Sequence, residues 1–392
     1  MTPKHKGPGR KVRCPQGYWA FIPDPLPPPL EWSSALVRAL SDADRLIGRL
    51  AGEGGRLPNP HVLVRPFVAR EAVLSSRIEG TQATLGELLA AEAGAAVERS
   101  PEDLREVGNY IAALEHGIRL LKKLPLSTRL IREIHAKLMR GVRGNGSTPG
   151  EFRRSQNWIG RPGSTLMTAS YVPPPPETLR SCMGELEKFL HDRSLPPLAQ
   201  IALAHYQFEA IHPFLDGNGR VGRLLITLFL VERAILPTPL LYLSAFFEAT
   251  RPDYYSALRA VSERAAWDAW LQYVLNGVAR QSEDALRRAE RINETLAAWR
   301  MHVAGSASKV SAVLVDRLAA NPYLTVKKTA QELGVAFTTV QRAVEKLQKL
   351  SIVRQISEGK RDRVYCATAL LKILEEPAQL VPDERQLGDS PP

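Results

Sequence analysis

The sequence predicts a mainly α-helical protein with one short β-hairpin and a small helix-turn-helix domain at its C-terminal end. Three observations support this fold class. Apolar residues recur every three or four positions up to about residue 300, which is the spacing of amphipathic helices. Between residues 144 and 176 the pattern changes to glycines, prolines and serines, which favour a loop or hairpin. Residues 309–366 then carry eleven lysines and arginines against five acidic residues on renewed helical spacing.

Length and composition limit the possible classes of protein. A chain of 392 residues, 44% hydrophobic and 24% charged, is long enough for two or three domains with cores of their own. Its three cysteines are widely spaced and form no disulfide or zinc pattern, which favours a cytoplasmic protein. The most apolar stretch, Leu224 to Val231, is far below the roughly 20 residues of a membrane span, so we expect a buried helix and no membrane partner. The net charge of +11 suits an anionic partner.

Prolines and glycines divide the chain into regions. Prolines fill residues 22–30, where missing N–H donors and the bias of preceding residues predict an extended arm. Glycines near position 54 are expected to end the first helix, and Ser100-Pro101 to begin a later one with serine as its cap. Residues 305–308 predict a linker. The predicted regions are a basic, proline-rich arm (1–30), an N-terminal helical region (31–100), a helical body (101–300), a basic domain (309–376) and a disordered tail (377–392).

Residues 212–223 read His-Pro-Phe-Leu-Asp-Gly-Asn-Gly-Arg-Val-Gly-Arg. Because His212 precedes proline, it is expected to end a helix in an extended conformation. Gly217-Asn218-Gly219 can wrap an anion, and a helix beginning near Arg220 presents unpaired N–H groups to it. The segment therefore predicts a phosphate site without a Walker-type lysine.

The charged residues of this segment indicate chemistry as well as binding. Arg220 and Arg223 share a helix face and suit the oxygens of a polyphosphate. Asp216 among phosphates is repulsive unless a cation intervenes, which predicts Mg²⁺ at this carboxylate. His212 can accept a hydroxyl proton, because an imidazole ordinarily titrates near pH 6.5, at about neutrality. Alone, such a histidine is usually a helix end and Gly-Asn-Gly a turn, but the combination indicates a catalytic centre.

The segment resembles the core motif of the Fic (Fido) family, His-Pro-Phe-x-Asp/Glu-Gly-Asn-Gly-Arg-x-x-Arg, at every fixed position. The resemblance implies an Mg-ATP-dependent protein adenylyltransferase that moves AMP onto a Ser, Thr or Tyr hydroxyl of a target protein, and a homodimer. His212 would be the base and Asp216 the magnesium ligand. Kinase-like relatives carry a lysine in the glycine loop, and Gly219 argues against that variant. The implied ATP and phosphate contacts are Asp216, Gly217, Asn218, Gly219, Arg220, Gly222 and Arg223.

An upstream segment, Ser75 to Gly80, resembles the inhibitory signature of this family, Ser/Thr-x-x-x-Glu-Gly/Asn. By itself, Glu79-Gly80 is only the polar last turn and cap of a helix. Given the core motif, a carboxylate delivered to Arg223 would occupy the guanidinium that the γ-phosphate needs. The resemblance therefore implies autoinhibition by an N-terminal helix. In some relatives the same glutamate aligns a water for removing AMP, so a bifunctional enzyme stays open.

Two further elements resemble parts of the family's site. Residues 152–160, continued at 171–174, are similar to a hairpin flap that holds target peptide by main-chain pairing, with Trp158, Ile159 and Gly160 as docking positions. A plain surface loop is the alternative. Tyr254 and Tyr255 lie where relatives place nucleoside contacts. Core packing explains such a pair equally well.

The basic C-terminal region follows a helix-turn-helix pattern, with helices at 310–318, 325–333 and 338–350 and a turn at 334–336. Residues 352–365 then alternate like a hairpin with a basic tip, so the region resembles a winged helix. The residues expected to face a DNA major groove are Thr338, Thr339, Gln341 and Arg342. Many winged helices mediate only protein contacts, so DNA and protein partners both stay open.

Two other functions compete with AMP transfer. In the first, the protein is a DNA-binding transcription regulator that uses its Fic body as a nucleotide sensor. In the second, the base His212 transfers a different phosphate-containing group. An intact catalytic histidine favours the adenylyltransferase.

Overall fold

The computed structural model of the protein describes residues 7–56, 60–142, 148–304, 309–358 and 362–378. Helices dominate these ranges and the strands form only small antiparallel sheets, so the predicted fold class is confirmed. The strands are β1 (Gly9–Arg13), β2 (Trp19–Pro23), β3 (Tyr323–Thr325), β4 (Arg354–Gln355) and β5 (Val364–Cys366). The helices are α1 (Ser34–Arg56), α2 (Pro60–Ile78), α3 (Leu85–Glu92), α4 (Pro101–Leu121), α5 (Thr128–Leu138), α6 (Pro176–His191), α7 (Pro197–Ile211), α8 (Asn218–Glu232), α9 (Ser244–Ala249), α10 (Arg251–Arg264), α11 (Trp267–Ala304), α12 (Lys309–Ala320), α13 (Val326–Leu333), α14 (Phe337–Lys349) and α15 (Thr368–Glu375).

Helices α7 and α8 form the centre of the body. All of α7 is buried except Pro197 and Glu209, as expected of a helix that is apolar on nearly every side. The apolar stretch that begins at Leu224 lies in α8 and is buried through Leu230. The turn between the two helices, residues 212–217, is therefore anchored in the core at both ends. No helix in the described ranges is both long and apolar enough to cross a membrane.

The N-terminal arm contains a β-hairpin that the sequence pattern did not predict. Strands β1 and β2 pair antiparallel, from Gly9 opposite Pro23 to Arg13 opposite Trp19. The N–H of Phe21 donates to the carbonyl of Val172 (2.9 Å), which ties the hairpin to the segment after the predicted flap. The prolines end β2 at Pro23 and leave the following residues without regular structure, as expected.

Two predicted helix boundaries need correction. Gly52, Gly54 and Gly55 do not end the first helix, because α1 continues to Arg56. A Cβ on Gly54 would lie 3.0 Å from Leu240 Cδ1, so this glycine permits close packing. Helix α4 begins at Pro101 as predicted, but the Ser100 hydroxyl bonds the Glu102 carboxylate and caps no main-chain N–H.

The C-terminal elements follow the predicted order. Helices α13 and α14 are joined by residues 334–336, where Gly334 adopts the left-handed conformation (φ 63°). Val340, Val344 and Leu347 on α14 are buried, and strand β5 pairs antiparallel with both β3 and β4. The predicted linker (305–308), most of the basic hairpin tip (359–361) and the tail beyond residue 378 lie outside the described residues.

The C-terminal elements are hydrogen-bonded to helix α3 and to the residue just beyond it. The Asn321 side chain donates to the carbonyl of Leu89 (2.9 Å), and the Thr325 hydroxyl donates to that of Ala93 (2.8 Å). At the start of α3, the N–H of Gly86 donates to the Glu375 carboxylate (3.2 Å). Helix α3 directly follows the turn that contains Glu79. The C-terminal elements therefore contact the helix next to that turn.

Candidate active site

His212 ends helix α7 in the left-handed conformation, with φ 49° and ψ 61°. The expectation of an extended residue before proline was therefore wrong. The N–H of His212 donates to the carbonyl of Phe208 (2.9 Å), which closes the last turn of α7. Its own carbonyl accepts a hydrogen bond from Arg153 Nε (2.9 Å). These two bonds stabilise a conformation that a non-glycine residue otherwise disfavours.

The His212 imidazole is arranged to accept a proton. Its Nδ1 lies 3.2 Å from the carbonyl oxygen of Glu209, so Nδ1 carries a hydrogen and donates. Nε2 is then the unprotonated nitrogen. Burial lowers the pKa of His212 to about 4, and the nearby Arg153 cation acts in the same direction. The ring is thus neutral at pH 7 and borders a cavity of the body.

The loop between His212 and helix α8 presents main-chain donors. Asn218 braces the loop, since its Oδ1 accepts from the N–H of Phe214 (2.8 Å) and its Nδ2 donates to the Phe214 carbonyl (2.8 Å). Gly217 has φ 78°, and a Cβ there would lie 2.9 Å from Met139 Sδ. No side chain caps α8 within the described part of the chain. Its N-terminal N–H groups therefore have the arrangement that binds anions at the start of a helix.

The two arginines of α8 have different surroundings. Both are 3% exposed. Arg223 borders the cavity, whereas Arg220 donates to Glu106 Oε2 (3.3 Å) and contacts Met139 Sδ (3.8 Å). Of the two predicted phosphate-binding arginines, the structure thus places Arg223 at the cavity and pairs Arg220 away from it.

Glu79 reaches Arg223 from the end of helix α2. Its Oε1 accepts from Arg223 NH2 at 2.6 Å, while Ser75 accepts from the same guanidinium through its hydroxyl (2.8 Å) and its carbonyl (2.9 Å). Burial alone would raise the pKa of Glu79, but the charge and hydrogen bond of Arg223 lower it below its usual value. A Cβ on Gly219 would lie 2.2 Å from Glu79 Oε1, so the carboxylate rests against the glycine loop. Gly80 follows at φ 102°.

The cavity has a volume of about 660 Å³. It is bordered by nine of the predicted site residues, which are Glu79, Trp158, Ile159, Gly160, His212, Gly219, Arg223, Tyr254 and Tyr255. The predicted residues that do not border it are Ser75, Gly80, Asp216, Gly217, Asn218, Arg220 and Gly222. Ser75 accepts hydrogen bonds from Arg223, and Gly222 packs closely against Glu209, two side chains that do border the cavity. Gly80 follows Glu79, and residues 216 to 218 form the adjoining loop, called the anion loop below.

The predicted flap and the tyrosine pair both contribute to the lining of this cavity. Ile159 and Tyr171 exchange two main-chain hydrogen bonds (2.8 and 3.0 Å), and Trp158 and Ile159 are about two-fifths exposed. Tyr254 is buried, and its hydroxyl bonds His205 Nε2 (2.8 Å), whereas Tyr255 is 45% exposed. Packing therefore accounts for Tyr254, and Tyr255 is the better placed of the two for a ligand.

Three residues at the site had no motif to reveal them. His135 accepts from the N–H of Gly150 through Nδ1 (2.8 Å) and therefore donates from Nε2 to the Asp216 carbonyl (3.1 Å). Arg153 binds the carbonyl of His212, as above. Glu209 borders the cavity, and burial raises the pKa of its carboxyl to about 8. All three depend on tertiary contacts, and the only sequence signal for Glu209 is an acidic residue in a mainly apolar helix.

Asp216, the predicted magnesium ligand, has a side chain that is 53% exposed. Its Oδ1 accepts from the N–H of Gly217 (2.5 Å) and lies 3.6 Å from Arg220 NH2. Among the described residues, no three His, Cys, Asp or Glu side chains are grouped to hold a metal ion. Mg²⁺ in phosphate sites commonly takes one or two carboxylates and completes its shell with phosphate and water. A single exposed carboxylate beside an anion loop fits that requirement only together with a nucleotide.

The chain is similar in sequence to known proteins. The sequence family described as Fic/DOC family N-terminal matches residues 37–119, and the Fic/DOC family matches residues 125–230. A protein adenylyltransferase Fic from Drosophila virilis is 33% identical over 192 residues, covering 47% of this chain and 36% of that protein. The protein of the same name from Drosophila ananassae is 32% identical, with 47% and 35% covered. The chain thus matches about a third of the length of these relatives.

A solved structure shares the fold. The crystal structure of a Fic family protein from Desulfovibrio desulfuricans G20 is 22% identical, with a TM-score of 0.59, and the match covers 87% of this chain and 98% of that one. The likeness to this structure shows the fold of the body. The two matched regions, residues 37–119 and 125–230, are those of a Fic (Fido) protein.

Proposed function

We propose that the protein is a protein adenylyltransferase that transfers AMP from ATP to a Ser, Thr or Tyr hydroxyl of a target protein. The observation that carries the proposal is that a neutral His212 with an unprotonated Nε2, Gly219 next to the anion loop, and Arg223 border one cavity. The names of the Drosophila relatives, adenylyltransferases, support the same activity.

Each residue has a proposed role. His212 removes the proton of the attacking hydroxyl, and the main chain of Gly217 to Gly219 holds the α-phosphate region. Arg223 binds the γ-phosphate once Glu79 leaves it, and Arg220 supports the loop through Asp216. Mg²⁺ bound with the nucleotide would neutralise polyphosphate charge, with Asp216 as its protein ligand.

The remaining contacts concern recognition. Trp158, Ile159 and Gly160 border the cavity, and the main-chain groups of Ile159 already pair with Tyr171. An extended target segment would therefore pair with the main chain of Trp158 and Gly160 and bring its hydroxyl to His212. Tyr255, with Tyr254 behind it, borders the nucleoside side. A cytoplasmic location and a homodimer belong to the same proposal.

Glu79 gives the proposal its regulation. While its carboxylate holds Arg223 at 2.6 Å and rests against Gly219, a γ-phosphate cannot take that guanidinium. We therefore expect a resting protein with low activity, and removal of AMP by a water that Glu79 aligns is a second activity of this site.

One labelling experiment tests the activity. The wild-type protein and the Glu79→Gly variant are incubated with ATP labelled at either the α- or the γ-phosphate, and label is followed into protein. Label from the α-phosphate, stronger in the variant, supports AMP transfer. Label from the γ-phosphate alone indicates a kinase, and label from neither indicates a nucleotide sensor.

A DNA-binding regulator is the second candidate, and exposed positions on α14 favour it. Thr338, Thr339 and Arg342 are exposed on a helix whose apolar side is buried, and Gln341 is half-buried and bonded to Glu345. Gel-shift titrations against duplex DNA at several salt concentrations test it, since phosphate contacts make affinity fall with salt. Affinity that Arg342→Ala leaves unchanged counts against α14 as the recognition helix.

A further inference from the structure

Arg153 makes an unusual set of contacts for a buried cation. Its side chain is 3% exposed, and its guanidinium donates to four main-chain carbonyls. The acceptors are His212 (from Nε, 2.9 Å), Pro174 (2.6 Å), Ser155 (3.3 Å) and Ile211 (3.4 Å). The main-chain N–H of Arg153 adds a fifth bond, to Pro213 (2.9 Å). One residue thus joins three separate stretches of chain.

These three stretches are the parts that the proposed reaction must align. Ser155 lies where the flap begins, and Pro174 lies where it ends. Ile211 and His212 are the last residues of α7 and the source of the base. One planar group therefore bonds both ends of the flap and the end of α7.

We propose that Arg153 is a positioning residue for AMP transfer, which fixes the left-handed turn at His212 and holds the flap in register with its imidazole. This inference rests on the proposed function. The left-handed conformation of a non-glycine residue persists only where surrounding contacts determine it, and the Arg153 bond to the His212 carbonyl is such a contact.

The chemistry of arginine suits this role better than that of lysine. Its planar fork of five donors can serve several acceptors in one plane, whereas an ammonium is a compact charge with three rotatable donors. The cation also affects the base electrostatically. Burial is the largest cause of the low pKa of His212, and the charge of Arg153 lowers this pKa further. The charges of Glu79 and Asp216 raise it. Removing the charge should therefore make His212 easier to protonate.

The test uses full-length protein in the Glu79→Gly background with two variants, Arg153→Lys and Arg153→Gln. Arg132→Lys is the matched control, because Arg132 also donates to a nearby main-chain carbonyl, that of Gly150 (2.7 Å), but not to His212 or the flap. The measurements are kcat with α-labelled ATP, affinity for a non-hydrolysable ATP analogue, amide hydrogen exchange at Ile159 and Tyr171, and the His212 titration by NMR.

We expect Arg153→Lys to lower kcat at least about 10-fold, as misplacement of a catalytic group does. Affinity for the analogue should stay within about 3-fold, because the anion loop is untouched, and exchange at Ile159 and Tyr171 should accelerate. Arg153→Gln, but not Arg153→Lys, should shift the His212 titration to higher pH. Arg132→Lys should match the parent in every measurement.

Two results would overturn the inference. One is unchanged kcat and exchange in Arg153→Lys. The other is a parallel loss of nucleotide affinity, melting temperature and kcat, which indicates a structural role only. If Arg153→Lys does not fold, Asn157→Ala removes the other donor to the His212 carbonyl (3.4 Å), and unchanged exchange and kcat there count against the proposal. If the parent transfers no AMP, the proposed function fails, while exchange and the NMR titration still decide the role of Arg153.

Discussion

Two parts of the proposed site lie against each other, yet the chain builds them in different ways. One is the anion loop (residues 216–218), and the other is the turn that carries Glu79 (residues 79–81), called the inhibitory turn below. Residues 212–223 hold the base, the loop and Arg223 within one short segment that the core anchors at both ends. Glu79 meets Arg223 across 144 positions of sequence. The residues proposed for the chemistry thus lie close together in the sequence, whereas the residue proposed to inhibit it reaches the site through a tertiary contact.

The supports of the inhibitory turn extend beyond the active site. Thr81 donates to Glu106 Oε2 (2.9 Å), the same oxygen that Arg220 binds. Helix α3, which follows, contacts the C-terminal elements through Leu89 and Ala93. These contacts connect the Glu79 turn to distant segments of the chain, and coupling of this kind is what a regulated site requires.

The largest effect is expected when the proposed base, His212, is removed. His212→Ala in the Glu79→Gly background should lower AMP transfer about 10²- to 10⁴-fold, the usual contribution of a general base. Transfer of α-label to protein measures it. His191→Ala, at an exposed position at the end of α6, is the control and should keep the parent rate. A rate near that of the parent in His212→Ala would remove this residue as the base.

The next largest effect is expected when Glu79, the residue proposed to inhibit the site, is removed. Glu79→Gly in otherwise wild-type protein should raise AMP transfer about 10- to 100-fold, since hydrogen bonds to charged groups contribute roughly 1.5–3 kcal/mol. Glu79→Gln, which keeps the shape but not the charge, should give a smaller rise. Glu31→Gly, at an exposed position, should change nothing. Equal rates in all four proteins would show that the Glu79–Arg223 pair does not restrain the enzyme.

The same contrast explains what the sequence could predict. The helical fold class and the residues of the anion loop follow from periodicity and from residue types close together in the chain. The pairing of Arg220 with Glu106 could not be predicted, because it depends on how α4 packs beside α8. The β1–β2 hairpin was missed because the neighbouring prolines indicate an extended arm. Its pairing is also stabilised by Val172, which lies far along the chain.

His212 shows the limit at a single residue. Steric rules for the residue before proline predict extended backbone, yet capping of α7 and the Arg153 bond select φ 49°. Local rules thus predict preferences, and buried hydrogen bonds from distant segments override them at the site.

The pH dependence of the Glu79→Gly variant tests the environment of the base. His212 must be neutral to accept a proton, and burial lowers its pKa to about 4, so activity should be lost only as pH falls through about 4. At pH 5.5 the variant should keep nearly all of its plateau rate, about 97%, whereas a histidine of ordinary pKa, about 6.5, would leave about one-tenth. Initial rates from pH 4 to 8 measure this. An acid limb near pH 6.5 would place the imidazole in contact with water.

The smallest expected effect concerns the distant support of the inhibitory turn. Thr325 is buried, and its hydroxyl donates to the carbonyl of Ala93 just beyond α3 (2.8 Å). Thr325→Val leaves that carbonyl unpaired at a cost of about 1 kcal/mol. Only part of this cost can reach Glu79 through α3, so basal AMP transfer in otherwise wild-type protein should rise less than about 5-fold, the factor equivalent to 1 kcal/mol. Amide exchange at Gly80 and Thr81 should accelerate in parallel. Thr338→Val, on the exposed face of α14, is the control and should change neither quantity. A lower melting temperature with an unchanged basal rate would mean that the C-terminal elements stabilise the fold without affecting the inhibitory contact.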